Sequence, residues 1–144
     1  MKRTPRILLV EDRQQDIRQV RRALNKLGWG HLPIDVVMDG ADAMDFLLRR
    51  KSHTEAPRPD LVILDWMLPL KNGIEVLQEM RLVTGLKKIP VVVFSTSSSE
   101  VDIEEAHGAG ANAYLRKPVD PHDFEETIRS LGLFWFEQAY LPQT

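Results

Sequence analysis

The chain has 144 residues, of which 43% are hydrophobic, and its formal net charge is -2 with a pI near 6.1. This length and composition suit a single domain with its own core, and the small net charge provides no basic field for binding nucleic acid. The sequence has no cysteine, which excludes disulfides and thiolate catalysis, and its apolar runs are too short to span a membrane. We therefore expect a cytoplasmic protein with no membrane partner.

The first part of the chain predicts two strand-helix units. Ile7 to Val10 is an apolar run typical of a strand. Apolar residues then recur at helical spacing at Ile17, Val20, Leu24 and Leu27. Ile34 to Met38 is the second predicted strand, and Pro33 before it indicates a sheet edge because proline cannot donate to a ladder. Asp39 and Gly40 open the second helix.

The middle of the chain contains two strands of the fully buried type. Leu61 to Leu64 and Val91 to Phe94 are uninterrupted apolar runs, as expected for strands covered on both faces. Asn72 and Gly73 stand between them at the start of a helical pattern. These features predict two more strand-helix units.

The last units complete the predicted fold. Ser97 and Glu100 match a capping box for a fourth helix, whose thin apolar stripe predicts a weakly held, mobile element. Ala113 to Leu115 is the fifth strand, and Asp120 with Pro121 starts the last helix. Five alternating units predict an α/β fold with a doubly wound parallel sheet and right-handed crossovers.

Polar residues follow four of the predicted strands. They are Glu11 and Asp12, Asp65, Ser95 and Lys117. If the strands are parallel, their carboxyl ends bring these side chains into one crevice, where open α/β sheets bind their ligands. Each residue also has a structural interpretation: Asp12 as a helix cap, Asp65 as a turn residue, Ser95 as a partner of the backbone and Lys117 as a surface lysine.

Four segments resemble the signature segments of two-component response-regulator receiver domains. They are LLVED, LDWMLP, PVVVFSTS and AYLRKP, and the match covers residues 6 to 131. The resemblance implies a flavodoxin-like fold with strand order 2-1-3-4-5 and helices on both faces. It implies that Asp65 accepts a phosphoryl group from a sensor histidine kinase, and that the Lys117-Pro118 peptide bond is cis.

The resemblance also assigns roles around Asp65. Lys117 would neutralise charge on the phosphoryl oxygens. Ser95 would hydrogen-bond a phosphoryl oxygen, and Tyr114 would then change rotamer, giving a two-state switch. Such a protein modifies itself, so we expect a signalling protein rather than an enzyme with a separate substrate.

The acidic residues predict a metal site. Carboxylates that share a pocket repel one another, and a bound divalent cation removes that cost. Mg²⁺ binds hard oxygen ligands, so Glu11 or Asp12, Asp65 and the backbone carbonyl of Met67 are candidate ligands. The apolar Met67 side chain cannot orient an attacking water, which leads us to the hypothesis of slow self-dephosphorylation.

Three other functions remain as alternatives. The first is a phosphorylation-independent interaction module with the receiver fold, against which the complete set of acid, hydroxyl and lysine argues. The second is a phosphatase of the haloacid dehalogenase type, which needs a second aspartate where Met67 stands. The third is a flavin binder, which needs a phosphate loop rich in glycine and hydroxyl groups where this chain has EDRQQD.

Residues 132–144 extend beyond the receiver match as a helix extension and tail. A continuous helix would place Phe124, Ile128, Leu131 and Trp135 on the core side. It would turn Leu133 and Phe136 outward, where they form an apolar patch with Tyr140 and Leu141. Such a patch predicts a homodimer. The alternative is a helix that breaks at Gly132 and a tail that folds back.

The ending FWFEQAYLPQT resembles the tails of single-domain response regulators that partner bacterial and cyanobacterial phytochromes. That resemblance implies a bacteriophytochrome, a red-light sensor histidine kinase, as partner. It also implies homodimers built partly by the tail.

Overall fold

A five-stranded parallel sheet forms the centre of the molecule, whose computed structural model describes residues 4–142. Its strands are β1 (Ile7–Val10), β2 (Ile34–Val37), β3 (Leu61–Leu64), β4 (Val91–Ser95) and β5 (Ala113–Arg116). Their order is β2-β1-β3-β4-β5, and every neighbouring pair is parallel. The predicted order is confirmed, and β2, which follows Pro33, lies at an edge.

Five α-helices connect and follow the strands. They are α1 (Gln14–Lys26), α2 (Gly40–Leu47), α3 (Gly73–Leu82), α4 (Glu100–Gly108) and α5 (Pro121–Gly132). A 3₁₀ turn at Lys51–His53 precedes β3, and a π-helical segment at Leu133–Gln138 follows α5. Within residues 4–142, no helix is both long enough and apolar enough to cross a membrane.

Side chains alternate between two cores because successive residues of a strand point to opposite faces of the sheet. Leu8 and Val10 of β1 face the core that α2, α3 and α4 cover. Ile7 and Leu9 face the core that α1 and α5 cover. Every residue of β1 is buried, as the continuous apolar run predicted. The helices therefore cover both faces of the sheet, as expected for a doubly wound fold.

Three predicted helix starts are confirmed by their capping hydrogen bonds. The Asp39 carboxylate accepts from the Asp42 amide at 2.6 Å, and Asn72 forms a capping box with Glu75. The Asp120 carboxylate accepts from the amides of the second and third residues of α5. These caps satisfy amide groups that have no partner inside the helix.

The predicted capping box of Ser97 and Glu100 is wrong. Ser99 caps α4 by accepting from the Asp102 amide at 3.5 Å, and the Ser97 hydroxyl instead donates to the Asp102 carboxylate at 2.6 Å. Three consecutive serines precede this helix, so spacing alone could not select the cap. The thin apolar stripe is present, since Ala106 is the single fully buried side chain among the residues of α4. Its mobility stays a prediction.

The C-terminal segment differs from both sequence interpretations. Gly132 keeps helical backbone angles (φ -69°, ψ -39°), so the helix does not break there. The next turn is π-helical, with the Ala139 amide donating to the Phe134 carbonyl five residues earlier at 2.7 Å. A π-helical turn holds more residues than an α-helical turn, which changes the direction of every following side chain.

This change of phase buries Phe136, which we predicted to point outward. Its side chain is 7% exposed and makes an edge-to-face contact with Trp29, with ring centroids 5.3 Å apart. Leu133 is exposed as predicted, and Phe134 is 54% exposed. Trp135 is half-buried against the core of α1 and α5. The outward apolar surface therefore centres on Phe134.

Candidate functional site

The polar residues that follow the strands meet at the carboxyl edge of the sheet. Glu11 and Asp12 follow β1, Asp65 follows its neighbour β3, Ser95 ends β4 and Lys117 follows β5. From β1 the chain crosses to β2 on one side, and from β2 it returns to β3 on the other side of β1, so the crevice lies at a topological switch point. The Lys117 amide donates to the Ser95 carbonyl at 2.7 Å, which joins the ends of β4 and β5.

Three of the predicted metal ligands form an acidic cluster. One carboxylate oxygen from each of Glu11, Asp12 and Asp65 lies within 4.8 Å of the other two. Glu11 and Asp65 are buried, whereas Asp12 is half-buried. Hard oxygen donors at this spacing, two of them largely removed from water, fit a divalent cation.

Met67 borders this cluster. Its backbone amide donates to Asp65 Oδ1 at 3.4 Å, and its side chain is 65% exposed. This hydrogen bond holds one Asp65 oxygen on the side of the loop that follows β3. The Met67 side chain leaves no polar group at this position beside the acid.

Lys117 is buried against the acidic cluster, with 3% of its side chain exposed. Its ammonium is paired with Glu11, lies 2.9 Å from Asp16 Oδ2 and lies 3.4 Å from Asp65 Oδ2. Three carboxylates thus surround the three N–H donors of a lysine. The interpretation of Lys117 as a solvated surface lysine is wrong.

The peptide bond between Lys117 and Pro118 is trans, since residues 4–142 contain no cis peptide bond. The cis bond that the family resemblance implied is therefore absent from this structure. Trans is the favoured state of bonds before proline by about 0.5–1 kcal/mol.

Burial and charge shift the pKa values of two of these groups in the same direction. Burial raises the pKa of the Glu11 carboxyl to about 7, against the opposing hydrogen bond from Lys117 and with a further rise from the Asp65 charge. Burial lowers the pKa of the Lys117 ammonium, but the carboxylates of Asp65 and Glu11 outweigh it, so the net shift is upward. The ammonium stays charged, whereas a proton competes for Glu11 near neutral pH.

Asp16 belongs to the site, although sequence reasoning missed it. It lies in the first turn of α1, is 7% exposed and accepts a hydrogen bond from Lys117. One signal could have found it, because Asp16 stands four residues before Val20 and so continues the buried stripe of α1 toward the crevice. An acid on a buried stripe requires a partner.

The two predicted switch residues are connected through the loop between β4 and α4. Ser95 is fully buried, and its hydroxyl accepts from the Ser97 amide at 3.3 Å. The Tyr114 hydroxyl donates to the Ser97 carbonyl at 2.9 Å, while its ring packs partly buried against the core. A movement of this loop therefore changes hydrogen bonds of both Ser95 and Tyr114.

The loop after β3 is held in a strained turn next to Asp65. Leu70 has a φ of +67°, and the Lys71 amide donates to the Pro69 carbonyl at 2.8 Å, which together form a γ-turn. The start of α2 packs against this turn, since a Cβ atom on Gly40 would lie 1.7 Å from the Lys71 carbonyl oxygen. Gly40 therefore allows the close approach that fixes the loop.

Comparison with known proteins identifies the family. The model of the response regulator receiver domain matches residues 7–129. The response regulator Rcp1 of Synechocystis is 39% identical over 136 residues, which cover 94% of this chain and 92% of that protein.

Solved structures agree with this match. The phosphorylated cyanobacterial phytochrome response regulator RcpA superposes with a TM-score of 0.92 at 38% identity, covering 98% of this chain and 100% of that one. RPA3017, a response regulator in red light signalling of R. palustris, superposes with a TM-score of 0.90 at 33% identity, covering 97% of this chain and 99% of that one. The Mn²⁺-bound form of Rcp1 superposes with a TM-score of 0.87 at 36% identity, covering 96% of this chain and 99% of that one.

These matches span nearly the whole chain and include the four strand ends that form the crevice. Receiver domains are the phosphoryl-accepting partners of sensor histidine kinases, and they bind a divalent cation in an acidic pocket of the kind that Glu11, Asp12 and Asp65 form here. The chain belongs to the response regulator receiver domain family.

Proposed function

We propose that Asp65 accepts a phosphoryl group from a phosphohistidine of a sensor histidine kinase. One observation carries the proposal: the Asp65 carboxylate is buried, shares the acidic cluster with Glu11 and Asp12, and lies 3.4 Å from the Lys117 ammonium. A cation site and a fixed positive charge, both next to the acceptor, are what an incoming phosphoryl group requires.

The reaction forms one bond and breaks one. An Oδ atom of Asp65 bonds to phosphorus while the bond between phosphorus and the imidazole nitrogen of the kinase breaks. That nitrogen leaves with the bonding electron pair, takes a proton and returns as neutral histidine. The product on this chain is an acyl phosphate. The Lys117 ammonium neutralises negative charge on the phosphoryl oxygens. Most of the rate enhancement comes from positioning and electrostatics.

Mg²⁺ is the cation we propose for the acidic cluster. Glu11, Asp12 and Asp65 would hold it, with the Met67 backbone carbonyl as a further ligand. When bound, Mg²⁺ neutralises charge on phosphoryl oxygens. The chain itself contributes the preformed carboxylates and excludes water from Glu11 and Asp65 by burying them.

The response to phosphorylation runs through Ser95 and Tyr114. The Ser95 hydroxyl would leave the Ser97 amide and hydrogen-bond a phosphoryl oxygen, which draws the loop between β4 and α4 toward Asp65. Because the Tyr114 hydroxyl donates to the Ser97 carbonyl, its side chain would follow that movement. The surface around α4 and β5 then differs between the two states, and a partner can distinguish them.

A bacteriophytochrome is the kinase that we propose as the phosphoryl donor. The similarity to RcpA, Rcp1 and RPA3017 over nearly their whole length supports it. We further propose a homodimer formed partly by the C-terminal segment. The exposed side chains that support it are Leu133, Phe134 and Tyr140.

Phosphotransfer from a purified bacteriophytochrome kinase tests the function and the partner together. The kinase is first autophosphorylated with labelled ATP and then mixed with this protein in Mg²⁺. After mixing, the label should pass from the kinase to the wild-type protein and should not pass to the Asp65→Asn variant. Retention of the label on the kinase would contradict the proposed partner, and equal labelling of Asp65→Asn would contradict the proposed acceptor.

A further inference from the structure

Asp16 is a buried carboxylate that the phosphoryl-transfer chemistry described above does not use. Its side chain is 10% exposed, and its Oδ2 atom lies 2.9 Å from Lys117 Nζ. The Arg13 guanidinium lies 3.8 Å from the same oxygen, but that arginine side chain is more than half exposed. The strong contact of Asp16 is therefore the one to Lys117, since exposed ion pairs contribute little.

The partners of Lys117 fall into two kinds. Glu11 and Asp65 belong to the acidic cluster that would bind the cation, together with Asp12. Asp16 is outside that cluster. A bound cation would thus withdraw charge from two of the three carboxylates around the ammonium and leave Asp16 unchanged.

A buried ammonium requires a carboxylate partner both without and with a cation bound in the crevice. Lys117 is 3% exposed, and an unpaired charge at that depth is costly enough to turn the side chain toward water. Once Glu11 and Asp65 bind a cation, Asp16 is the remaining carboxylate at hydrogen-bond distance within residues 4–142.

We propose that Asp16 is a positioning residue that keeps the Lys117 ammonium in the crevice when a cation binds Glu11 and Asp65. Asp16 stands in the first turn of α1, so it holds the lysine beside Asp65 at the moment when a phosphoryl group arrives. The inference rests on the proposed phosphoryl-acceptor function for its purpose, but its geometry involves only the unphosphorylated chain and a cation.

A purely structural role makes a different prediction. An acid in the first turn also stabilises a helix through its dipole. In that case the removal of Asp16 would lower stability and leave the accessibility of Lys117 independent of the cation. The position of the lysine amine therefore distinguishes the two roles.

Chemical labelling of lysine amines measures that position directly. The folded protein is treated briefly with acetic anhydride, with and without saturating Mg²⁺, and labelling is mapped by peptide mass spectrometry. The exposed residues Lys87 and Lys88 serve as internal references. The variants are Asp16→Asn, Asp16→Glu as a conservative rescue, and Asp120→Asn as a control that removes a capping carboxylate at another helix.

Lys117 of the wild-type protein should stay protected in both conditions. In Asp16→Asn it should stay protected without the cation, because Glu11 and Asp65 still hold it, and its labelling should rise about fivefold or more with Mg²⁺. Asp16→Glu should restore most of the protection, and Asp120→Asn should behave as the wild type. If Asp16→Asn unfolds, comparison of Asp16→Glu with the wild type decides, because the displaced carboxylate should leave a small rise in labelling with Mg²⁺ that the wild type lacks.

Equal labelling of Lys117 with and without Mg²⁺ in Asp16→Asn, or in Asp16→Glu if Asp16→Asn does not fold, would overturn the inference. Labelling requires no phosphoryl transfer, so the outcome is separate from that of the proposed function. A wild-type protein that takes up no phosphoryl group but shows the expected labelling would contradict the function and leave the positioning role intact.

Discussion

Cation binding should depend on pH through Glu11, and the structure sets the size of the effect. Burial raises the pKa of this carboxyl to about 7, and a metal ligand must be ionised to bind. A group with that pKa is ionised in about 90% of molecules at pH 8 and about 10% at pH 6. The apparent affinity for Mg²⁺ should therefore fall about tenfold over this range, or about 1.4 kcal/mol.

Trp66 provides the assay for this dependence. It follows Asp65 directly and is 4% exposed, so a change of charge at the acid should alter its fluorescence. Mg²⁺ is titrated at several pH values, and the apparent Kd is plotted against pH. Asp12→Asn should bind more weakly with the same pH dependence, whereas Glu11→Gln should bind more weakly with a nearly flat profile. An equal Kd at both ends of the range in the wild-type protein would refute the reasoning.

The same shift has a consequence for stability. The folded pKa of Glu11 lies above its ordinary value of 4.5, so the folded state binds more protons between these values than the unfolded state. Without metal, this group stabilises the fold most below the ordinary value and loses that contribution as the pH rises through about 7. Saturating Mg²⁺ should reduce the loss, because the cation replaces the proton in neutralising the buried charge.

Three further changes test the loop, the acceptor environment and the tail. Gly40→Ala should lower the free energy of unfolding by about 1–3 kcal/mol in urea titrations, since its Cβ would meet the Lys71 carbonyl, whereas Gly108→Ala, with open space around it, should not. Met67→Asn should shorten the lifetime of the phosphorylated protein, measured by the decay of label, and an unchanged lifetime would contradict the hypothesis of slow self-dephosphorylation. Phe134→Glu should shift the protein toward monomer in analytical ultracentrifugation without loss of stability, with Leu82→Glu as the control at another exposed apolar position. A wild-type protein that sediments as a monomer at high micromolar concentration would contradict the dimer.

The sheet and its crevice could be predicted because their signals are local and strong. The runs at β1 and β3 are wholly apolar and buried, so neither helix nor loop competes with the strand interpretation. Pro33 indicated an edge through a physical restriction on its backbone, and β2 lies at that edge. Parallel strands then brought Glu11, Asp65 and Lys117 to one edge of the sheet without any knowledge of side-chain contacts.

Other features depend on contacts that the local sequence does not specify. Ser97 and Ser99 are equally good caps, and the choice followed from the Ser97 contact with Asp102. The burial of Phe136 followed from a π-helical turn and from the distant Trp29, which packs on both Gly132 and Phe136. A prediction from helical periodicity assumes a constant number of residues per turn. It therefore assigns side chains to the wrong face after a π-helical turn, which holds more residues.

Asp16 was missed for a different reason. Its pairing with Lys117 joins residues that are 101 positions apart in the sequence. The helical spacing of α1 could have shown that Asp16 lies on the buried stripe, but the identity of its partner required the fold. Buried acids on an otherwise apolar helix face are therefore worth treating as candidate site residues in related chains.

Intact-mass measurement after incubation with Mg²⁺ and a small-molecule phosphodonor tests the central claim most directly. The wild-type protein should gain the mass of one phosphoryl group, and Asp65→Asn should gain none. Asp120→Asn is the matched control, because it makes the same chemical change at a helix cap and should label like the wild type. No mass gain in the wild-type protein, or an undiminished gain in Asp65→Asn, would contradict the account.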